Sequence, residues 1–224
     1  MKKIFWITAL AVCSTQAMAN SLTLNVQGII SPPACVADVV GNTDLDWGAL
    51  QHSELGSKVK TLEAKPITLS INCPDDANTH VAFWVADGIT DPAMQGDNTG
   101  GMTNHGQIIR DFSIGLDPFT SQPLGNYTLN PVEELVDGNK QTSFGFVASG
   151  SHSNTVFSPR KITAYSYSKA EDWTFWDDKT AKPAIGNNFQ MTFNVEPQLN
   201  TTDKISNINQ INWKGTAQFN IRYF

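Results

Sequence analysis

The feature that most constrains this fold is a repeated alternation of apolar and polar residues in short runs. In the clearest run every second residue is apolar: Phe189, Met191, Phe193 and Val195. A period of two places successive side chains on opposite faces of a β-strand, whereas a helix needs a period near 3.6. No stretch of the sequence carries a convincing helical stripe. The alternation therefore predicts strands, each with one face turned toward a core.

Similar runs recur along the chain, with turn residues between them. They cover residues 22–26, 66–73, 112–116, 126–129, 143–147 and 217–223. Residues 81–86 are continuously apolar, which is typical of a strand buried on both faces. Short strands separated by Asp-Gly and Gly-Asn turns predict a β-sandwich or barrel. We expect a single domain over residues 20–224, with long insertions around residues 87–110 and 132–183, the second containing a short helix at residues 132–136.

The composition narrows the class of protein. Of 224 residues, 15 are Lys or Arg and 21 are Asp or Glu, which gives a formal net charge of −6 and a pI near 5.1. Such a chain lacks the basic surface with which proteins bind nucleic acid, so we expect no nucleic-acid partner. Only 16% of residues are charged and 40% are hydrophobic. The chain can therefore build a core and is not expected to be disordered.

Residues 1–19 have the pattern of a Sec-type signal peptide. Lys2 and Lys3 precede an apolar run at residues 4–12, and the tripeptide Ala-Met-Ala ending at Ala19 fits a cleavage site. The run is too short to span a bilayer. We expect cleavage after Ala19, export to the periplasm and no transmembrane segment in the mature chain. A buried N-terminal helix is the alternative.

The cysteines fit an exported protein. Cys13 lies within the signal peptide, and Val12 before it is not the small residue that lipoprotein processing requires. Cys35 and Cys73 remain as an even pair. Because an oxidising compartment favours pairing, we expect a disulfide between them, with two reduced thiols as the alternative.

Catalytic and metal-binding patterns are absent from the sequence. The four histidines form no HExxH motif and no Cys-rich ligand set: His52, His80, His105 and His152. No GxSxG elbow occurs. The acidic pairs at residues 75–76 and 177–178 lack the spaced ligands of a calcium loop. We therefore expect a protein that is not an enzyme, with no catalytic residue, no metal site and no cofactor.

A carbohydrate-binding function is the alternative to a structural one. Trp173 and Trp176 flank an acid-rich segment, and an aromatic face beside carboxylates can hold a sugar. These two residues are the candidate glycan contacts of a self-contained periplasmic or surface β-sandwich. The competing interpretation is that both rings pack a long loop onto the sandwich, which is the usual role of buried aromatic side chains.

The strand pattern at residues 217–223 reaches almost to the last residue of the sequence. Its alternating members are Ala217, Phe219, Ile221 and Tyr223. A strand of this kind must pair on both edges or it exposes main-chain groups that another chain can join. We expect either a complete pairing within its own sheet or strand addition by a partner.

Several motifs resemble those of chaperone–usher pilus subunits. Gly28 precedes Cys35 by a short strand, the segment at residues 45–48 ends in Trp-Gly, and residues 69–73 end in the second cysteine. The penultimate Tyr223 resembles the end of the subunits' C-terminal strand. The segments at residues 112–116, 124–129 and 215–224 resemble more closely a fimbrial-like family of unknown function, whose members occur beside periplasmic chaperones and ushers.

This resemblance implies an immunoglobulin-like, pilin-like β-sandwich that lacks its seventh strand. A periplasmic chaperone would fill the gap, and a neighbouring subunit would replace it at the outer-membrane usher, giving a fimbrium on the surface of a Gram-negative cell and a role in cell adhesion. The residues that would meet the donor strand are Ala217, Phe219, Ile221 and Tyr223. The N-terminal strand would contain Leu22, Leu24 and Val26, and the disulfide would attach it to its neighbour.

Two departures from the pilus-subunit pattern qualify the role. Pilus subunits carry a glycine fourteenth from the end, where this chain has Ile211. Cleavage after Ala19 would also leave only Asn20 and Ser21 ahead of the first alternating run. A polymerising subunit needs a free donor strand there. We therefore expect a protein that donates a strand poorly: a minor, terminal or accessory subunit, or no polymer subunit at all.

Overall fold

The computed structural model describes residues 35–75, 79–89, 112–148, 152–153, 155–162 and 171–224. Within these ranges every regular element is a β-strand except one single-turn 3-10 helix, His52–Glu54. The strands are β1 Val36–Val40, β2 Lys60–Thr61, β3 Lys65–Asn72, β4 Val81–Asp87, β5 Phe112–Ser113, β6 Gly125–Val136, β7 Asn139–Gln141, β8 Ser143–Ala148, β9 Ser158–Lys161, β10 Glu171–Thr174, β11 Trp176–Asp177, β12 Lys182–Pro183, β13 Asn188–Leu199 and β14 Ala217–Tyr223. The predicted all-β class is confirmed.

The strands form two antiparallel sheets. The first sheet has the order β1-β3-β13-β6-β5, with β2 added beside β13 and β7 beside β6. The second has the order β14-β4-β10-β8-β9, and β11 and β12 form a separate two-stranded ribbon. Antiparallel sheets commonly bury one face, which explains the alternating sequence pattern.

The two sheets pack face to face around an aromatic core. Phe83 of β4 lies 6.2 Å, centroid to centroid, from Phe193 of β13 on the opposite sheet. Phe219 of β14 and Trp173 of β10 lie 5.9 Å and 6.1 Å from the same Phe193 ring. The predicted run in β13 is a strand whose apolar members are buried and whose intervening residues are less so. Burial of these rings is the main force that holds the sandwich together.

The strand order matches an immunoglobulin-like sandwich. In that fold one sheet has the order A-B-E-D, and strands C and F are neighbours in the other. Here β1-β3-β13-β6 corresponds to A-B-E-D, and β4 and β14 correspond to C and F. Within the described part of the chain, no strand occupies position G on the outer side of β14.

The predicted disulfide is confirmed. Cys35 directly precedes β1 and Cys73 directly follows β3, and the adjacent residues Val36 and Asn72 are paired across the two strands. The two cysteine Cα atoms are 4.1 Å apart. The bond therefore joins the edge strand of the first sheet to its only neighbour in that sheet among the described strands.

The structure differs from the expectation for residues 132–183. Residues 132–136 are the second half of β6 and not a short helix, because β6 pairs with β13 along its length up to Val136 and Phe189. Much of the remaining stretch also belongs to the sandwich, since β8, β9 and β10 are strands of the second sheet. These residues form strands because they pair with residues that are distant in the sequence, and the local hydrophobic pattern does not show that pairing.

Some predictions fall on parts of the chain that the structure does not describe. The signal peptide at residues 1–19 and the N-terminal run with Leu22, Leu24 and Val26 lie outside the described residues. Most of the predicted insertion at residues 87–110 also lies outside them. Among the residues that are described, no helix has the length and apolar character needed to cross a membrane.

Candidate functional site

The candidate site is the outer edge of β14. This strand pairs with β4 on one side, in a register that places Phe219 opposite Val85 and Ile221 opposite Phe83. It is the last strand of the second sheet, and no other described strand adjoins it. An edge of this kind presents main-chain groups to which a further strand can bind.

The hydrogen-bond pattern shows which residues of β14 face that edge. At one end of the ladder Gly88 N donates to Thr216 O at 2.7 Å, and at the other Phe224 and His80 exchange two hydrogen bonds of 3.2 and 3.3 Å. Hydrogen-bonded pairs alternate along antiparallel strands. The even-numbered residues of β14 are therefore bonded to β4. The odd-numbered residues direct their N–H and C=O groups to the outer edge: Ala217, Phe219, Ile221 and Tyr223.

The same four residues direct their side chains into the sandwich. Each is partly buried and packs against the core that the two sheets share. Phe219 lies 6.3 Å from Phe83 and 5.9 Å from Phe193, measured between ring centroids. The edge of β14 thus combines outward main-chain groups with half-buried apolar side chains. The sequence pattern predicted these residues, and the structure brings all four together on one strand.

The edge of the opposite sheet lies beside the C-terminal end of β14. Tyr223 Oη donates a hydrogen bond of 3.2 Å to the carbonyl of Cys35, at the start of edge strand β1. Partial burial raises the pKa of the Tyr223 phenol, so the hydroxyl remains a donor at neutral pH. The sandwich is therefore tied together at this point between two edge strands, next to the disulfide.

The outer face of β14 is fixed by a polar cluster. Arg222 lies 3.5 Å from Asp172 of β10, a fully buried carboxylate that also hydrogen-bonds to His152 Nδ1. His152 in turn stacks on Trp84 with ring centroids 4.4 Å apart. The cluster joins β14, β4 and β10 on the face opposite the aromatic core. These contacts hold β14 in place, because they pack its outer face while the aromatic core packs its inner face.

Trp173 and Trp176, the sequence-based candidates for glycan contact, are both buried. Trp173 is 0% exposed and stacks on Phe144 with ring centroids 3.9 Å apart. Trp176 is 4% exposed and packs over Gly145. Neither ring presents a face that a sugar could reach. We therefore propose no glycan site at these residues, and the competing interpretation, packing against the sandwich, describes both positions.

A buried carboxyl group lies next to Trp176. Glu134 of β6 is 0% exposed, and its Oε1 accepts a hydrogen bond of 2.7 Å from Trp176 N. Its Oε2 has no hydrogen-bond partner among the described residues. Burial raises the pKa of the Glu134 carboxyl well above its ordinary value, and the nearby Asp178 raises it further. The hydrogen bond from Trp176 N to Glu134 helps to hold β11 in place. Burying the ionisable carboxyl group of Glu134 nevertheless costs free energy of folding.

Glu134→Gln is expected to stabilise the protein at neutral and higher pH. A carboxyl whose pKa is raised on folding contributes most to stability below its unfolded pKa, and that contribution is lost as the pH rises through its folded pKa. The amide oxygen of Gln can still accept from Trp176 N, and it does not ionise. Urea unfolding from about pH 4 to about pH 8 should show the variant gaining on the wild type as pH rises. Glu133→Gln, on the half-buried neighbour that pairs with Lys140, should show no such trend. A trend equal in both variants would contradict the prediction.

Comparisons with known proteins do not place this chain in a family. No protein-family model matches it, and no curated protein matches it significantly. Among the described residues, no group of three or more His, Cys, Asp or Glu side chains is arranged to hold a metal ion. The fold and the edge of β14 are therefore the features of this protein that bear on its function.

Proposed function

We propose that this protein is an exported pilus-type structural subunit that accepts a β-strand at the outer edge of β14. A periplasmic chaperone supplies that strand first, and a neighbouring subunit replaces it at the outer-membrane usher. The observation that supports this proposal is the edge itself. No described strand pairs with its outer main-chain positions, which lie beside half-buried Phe219 and Ile221, at the place where an immunoglobulin-like sandwich has strand G.

Strand addition fits the chemistry of this edge. Main-chain hydrogen bonds to the odd-numbered residues would provide affinity, and alternate apolar side chains of the donor would complete the partly buried core. Left without a partner, the same edge would favour aggregation, because it combines apolar side chains with open hydrogen-bonding groups. A chaperone that covers the edge before assembly addresses that hazard directly.

The proposed role is that of a minor or terminal subunit of a fimbrium that acts in cell adhesion. This part of the proposal comes from the sequence, where the expected cleavage after Ala19 leaves little chain ahead of residues 22–26 to donate to another subunit. Such a subunit would occupy the periplasm during assembly and the surface of a Gram-negative cell afterwards. Its partners would be a chaperone, an usher and the adjacent subunit.

A synthetic peptide of alternating apolar residues should stabilise residues 20–224. Because a ligand that binds only the folded state adds about 2.7 kcal/mol at a hundredfold excess over its Kd, the melting temperature should rise by about 5 to 10 °C. Ile221→Glu should abolish this rise in melting temperature, because it places a charge among the half-buried apolar side chains at the edge of β14. Gln218→Glu adds the same charge on the exposed outer face and should leave the shift intact.

Ala217→Pro is a second variant for the same experiment. The N–H of Ala217 points to the outer edge and makes no hydrogen bond to β4. Proline removes this N–H, so the fold should be retained while the affinity for the peptide falls. Co-expression with the cognate chaperone provides an independent measurement, since the wild type should co-purify with it and Ile221→Glu should not. A melting temperature unchanged by saturating peptide, together with no chaperone complex, would exclude the proposal.

A further inference from the structure

A cavity of about 590 Å³ lies between two irregular segments, residues 45–55 and residues 199–213. We call it the interloop cavity; it is lined by residues 45–52, 55, 124, 199, 205–207 and 209–213. Residues 41–51 contain no regular element. Its volume is within the range of about 300–1,000 Å³ that is usual for small-molecule sites.

Two tryptophans form the aromatic part of the cavity. Trp47 and Trp213 come from different segments, and their ring centroids are 5.8 Å apart at an interplanar angle of 37°. Trp47 Nε1 donates a 2.7 Å hydrogen bond to the carbonyl of Glu63, and Lys65 Nζ lies 5.1 Å from the Trp47 ring. Both rings are half-buried. They are held in place while still bordering the open volume.

Amides are the most numerous polar side chains of the lining, beside Asp46, His52 and Ser206. Four exposed amide side chains follow each other closely before Trp213: Asn207, Asn209, Gln210 and Asn212. Each amide offers a donor and an acceptor in one plane, which suits neighbouring hydroxyl groups on a ligand. Leucines contribute apolar lining at positions 45, 50, 55, 124 and 199.

The charged residues that line the interloop cavity favour a neutral ligand. Asp46 is its only carboxylate, and neither lysine nor arginine belongs to it. Among the lining residues an anionic ligand would meet the carboxylate of Asp46 and no lysine or arginine. A purely apolar ligand would leave the amides without partners, at a cost in affinity. The lining therefore fits a molecule with apolar C–H faces and several uncharged hydroxyls.

Hydrogen bonds join the two segments to each other and to Asp117. His52 Nε2 donates to the carbonyl of Ile205 at 2.9 Å, and Thr202 N donates to the carbonyl of Gly56 at 3.0 Å. Ser206 N donates to the buried carboxylate of Asp117 at 2.5 Å. A site that is already formed loses less conformational entropy when a ligand binds.

We propose that the interloop cavity binds a neutral saccharide of one or two rings. The C–H face of a sugar ring packs against Trp47 and Trp213, because such C–H groups carry partial positive charge and aromatic faces are negative. Asn207 and Asn209 hydrogen-bond its hydroxyls. The site is separate from the edge of β14, so it goes beyond the proposed function and would give a structural subunit a receptor-binding surface of its own.

Tryptophan fluorescence and calorimetry test the proposal on residues 20–224, with the apolar strand peptide present. The probes are lactose, maltose, cellobiose and chitobiose, with sialyllactose as an anionic comparison. At least one neutral disaccharide should bind to saturation and change the emission of the protein. Asn209→Ala, an exposed substitution, should weaken that binding by about tenfold, and Trp213→Ala by more.

Ile208→Ala is the matched control, because Ile208 is 70% exposed in the same segment and does not line the cavity. Its affinity should equal that of the wild type. The proposal is overturned if no neutral disaccharide saturates, if Asn209→Ala binds as tightly as the wild type, or if sialyllactose binds better than lactose. Peptide binding is measured in the same samples, so failure at β14 and failure at the cavity give different results.

Discussion

Trp173→Ala is expected to lower the free energy of unfolding by about 3–5 kcal/mol, the usual cost of truncating a fully buried tryptophan. The ring is 0% exposed and lies between the sheets, stacked on Phe144 and within 6.3 Å of Phe83. Its removal takes away apolar burial and leaves a cavity that rigid neighbours fill only in part. Urea unfolding followed by circular dichroism measures the loss.

Two comparisons make the Trp173 result specific. Trp173→Phe keeps an aromatic ring against Phe144 and should lose much less stability than the alanine variant. Trp213→Ala makes the same truncation at a half-buried position and should also lose less. Equal losses for Trp173→Ala and Trp213→Ala would mean that Trp173 does not have the central place in the core described above.

Replacing Cys35 and Cys73 together with alanine is expected to cost about 4 kcal/mol. The two positions are 38 residues apart, and opening a loop of that size restores conformational entropy mainly to the unfolded chain. The loss of stability should be largest at the edge strand β1, because β3 is its only neighbour in the sheet among the described strands. Urea unfolding of the oxidised wild type and the double variant gives the difference.

Reduction supplies the control for the disulfide prediction. Dithiothreitol should lower the stability of the wild type toward that of the double variant and leave the double variant unchanged. A double variant as stable as the oxidised wild type would show that pairing between β1 and β3 needs no covalent support. If β1 detaches on reduction, the hydrogen bond from Tyr223 to Cys35 at the edge of β14 should be lost with it.

Alternation in the sequence predicted strands best where one face of a strand is buried. β3, β13 and β14 follow their predicted runs closely, because each alternates between the shared core and the outer surface. β4 was predicted from a continuous apolar run, and both of its faces are covered: Phe83 faces the main core, and Ala82 packs with Phe157 and Trp176 on the other side.

The sequence pattern was less informative where backbone conformation or long-range pairing decides the structure. The run at residues 112–116 gives only the two-residue strand β5, since Gly115 has a φ of +95° and turns the chain away from the sheet. Residues 132–136 are strand because β13 pairs with them. Neither feature can be read from hydrophobic periodicity alone.

The two candidate sites also differ in whether the sequence pattern could predict them. The four residues at the edge of β14 were found from alternation, because a strand's own pattern shows which side chains face the core. The interloop cavity was not found, because Trp47 and Trp213 are far apart in sequence and no local pattern shows that their rings meet. Trp173 and Trp176 were the more conspicuous pair, and the sandwich buries both.

The sequence by itself determined the all-β class, the cysteine pair and the strand that carries the candidate acceptor edge. These features depend on local periodicity and on the chemistry of single residue types, which a linear sequence contains. Only the tertiary structure decided that β14 is the last described strand of its sheet, which tryptophans are buried, and that residues 45–55 and 199–213 line a cavity. Those outcomes depend on pairing between distant segments, whose free energy comes from contacts that no local pattern specifies.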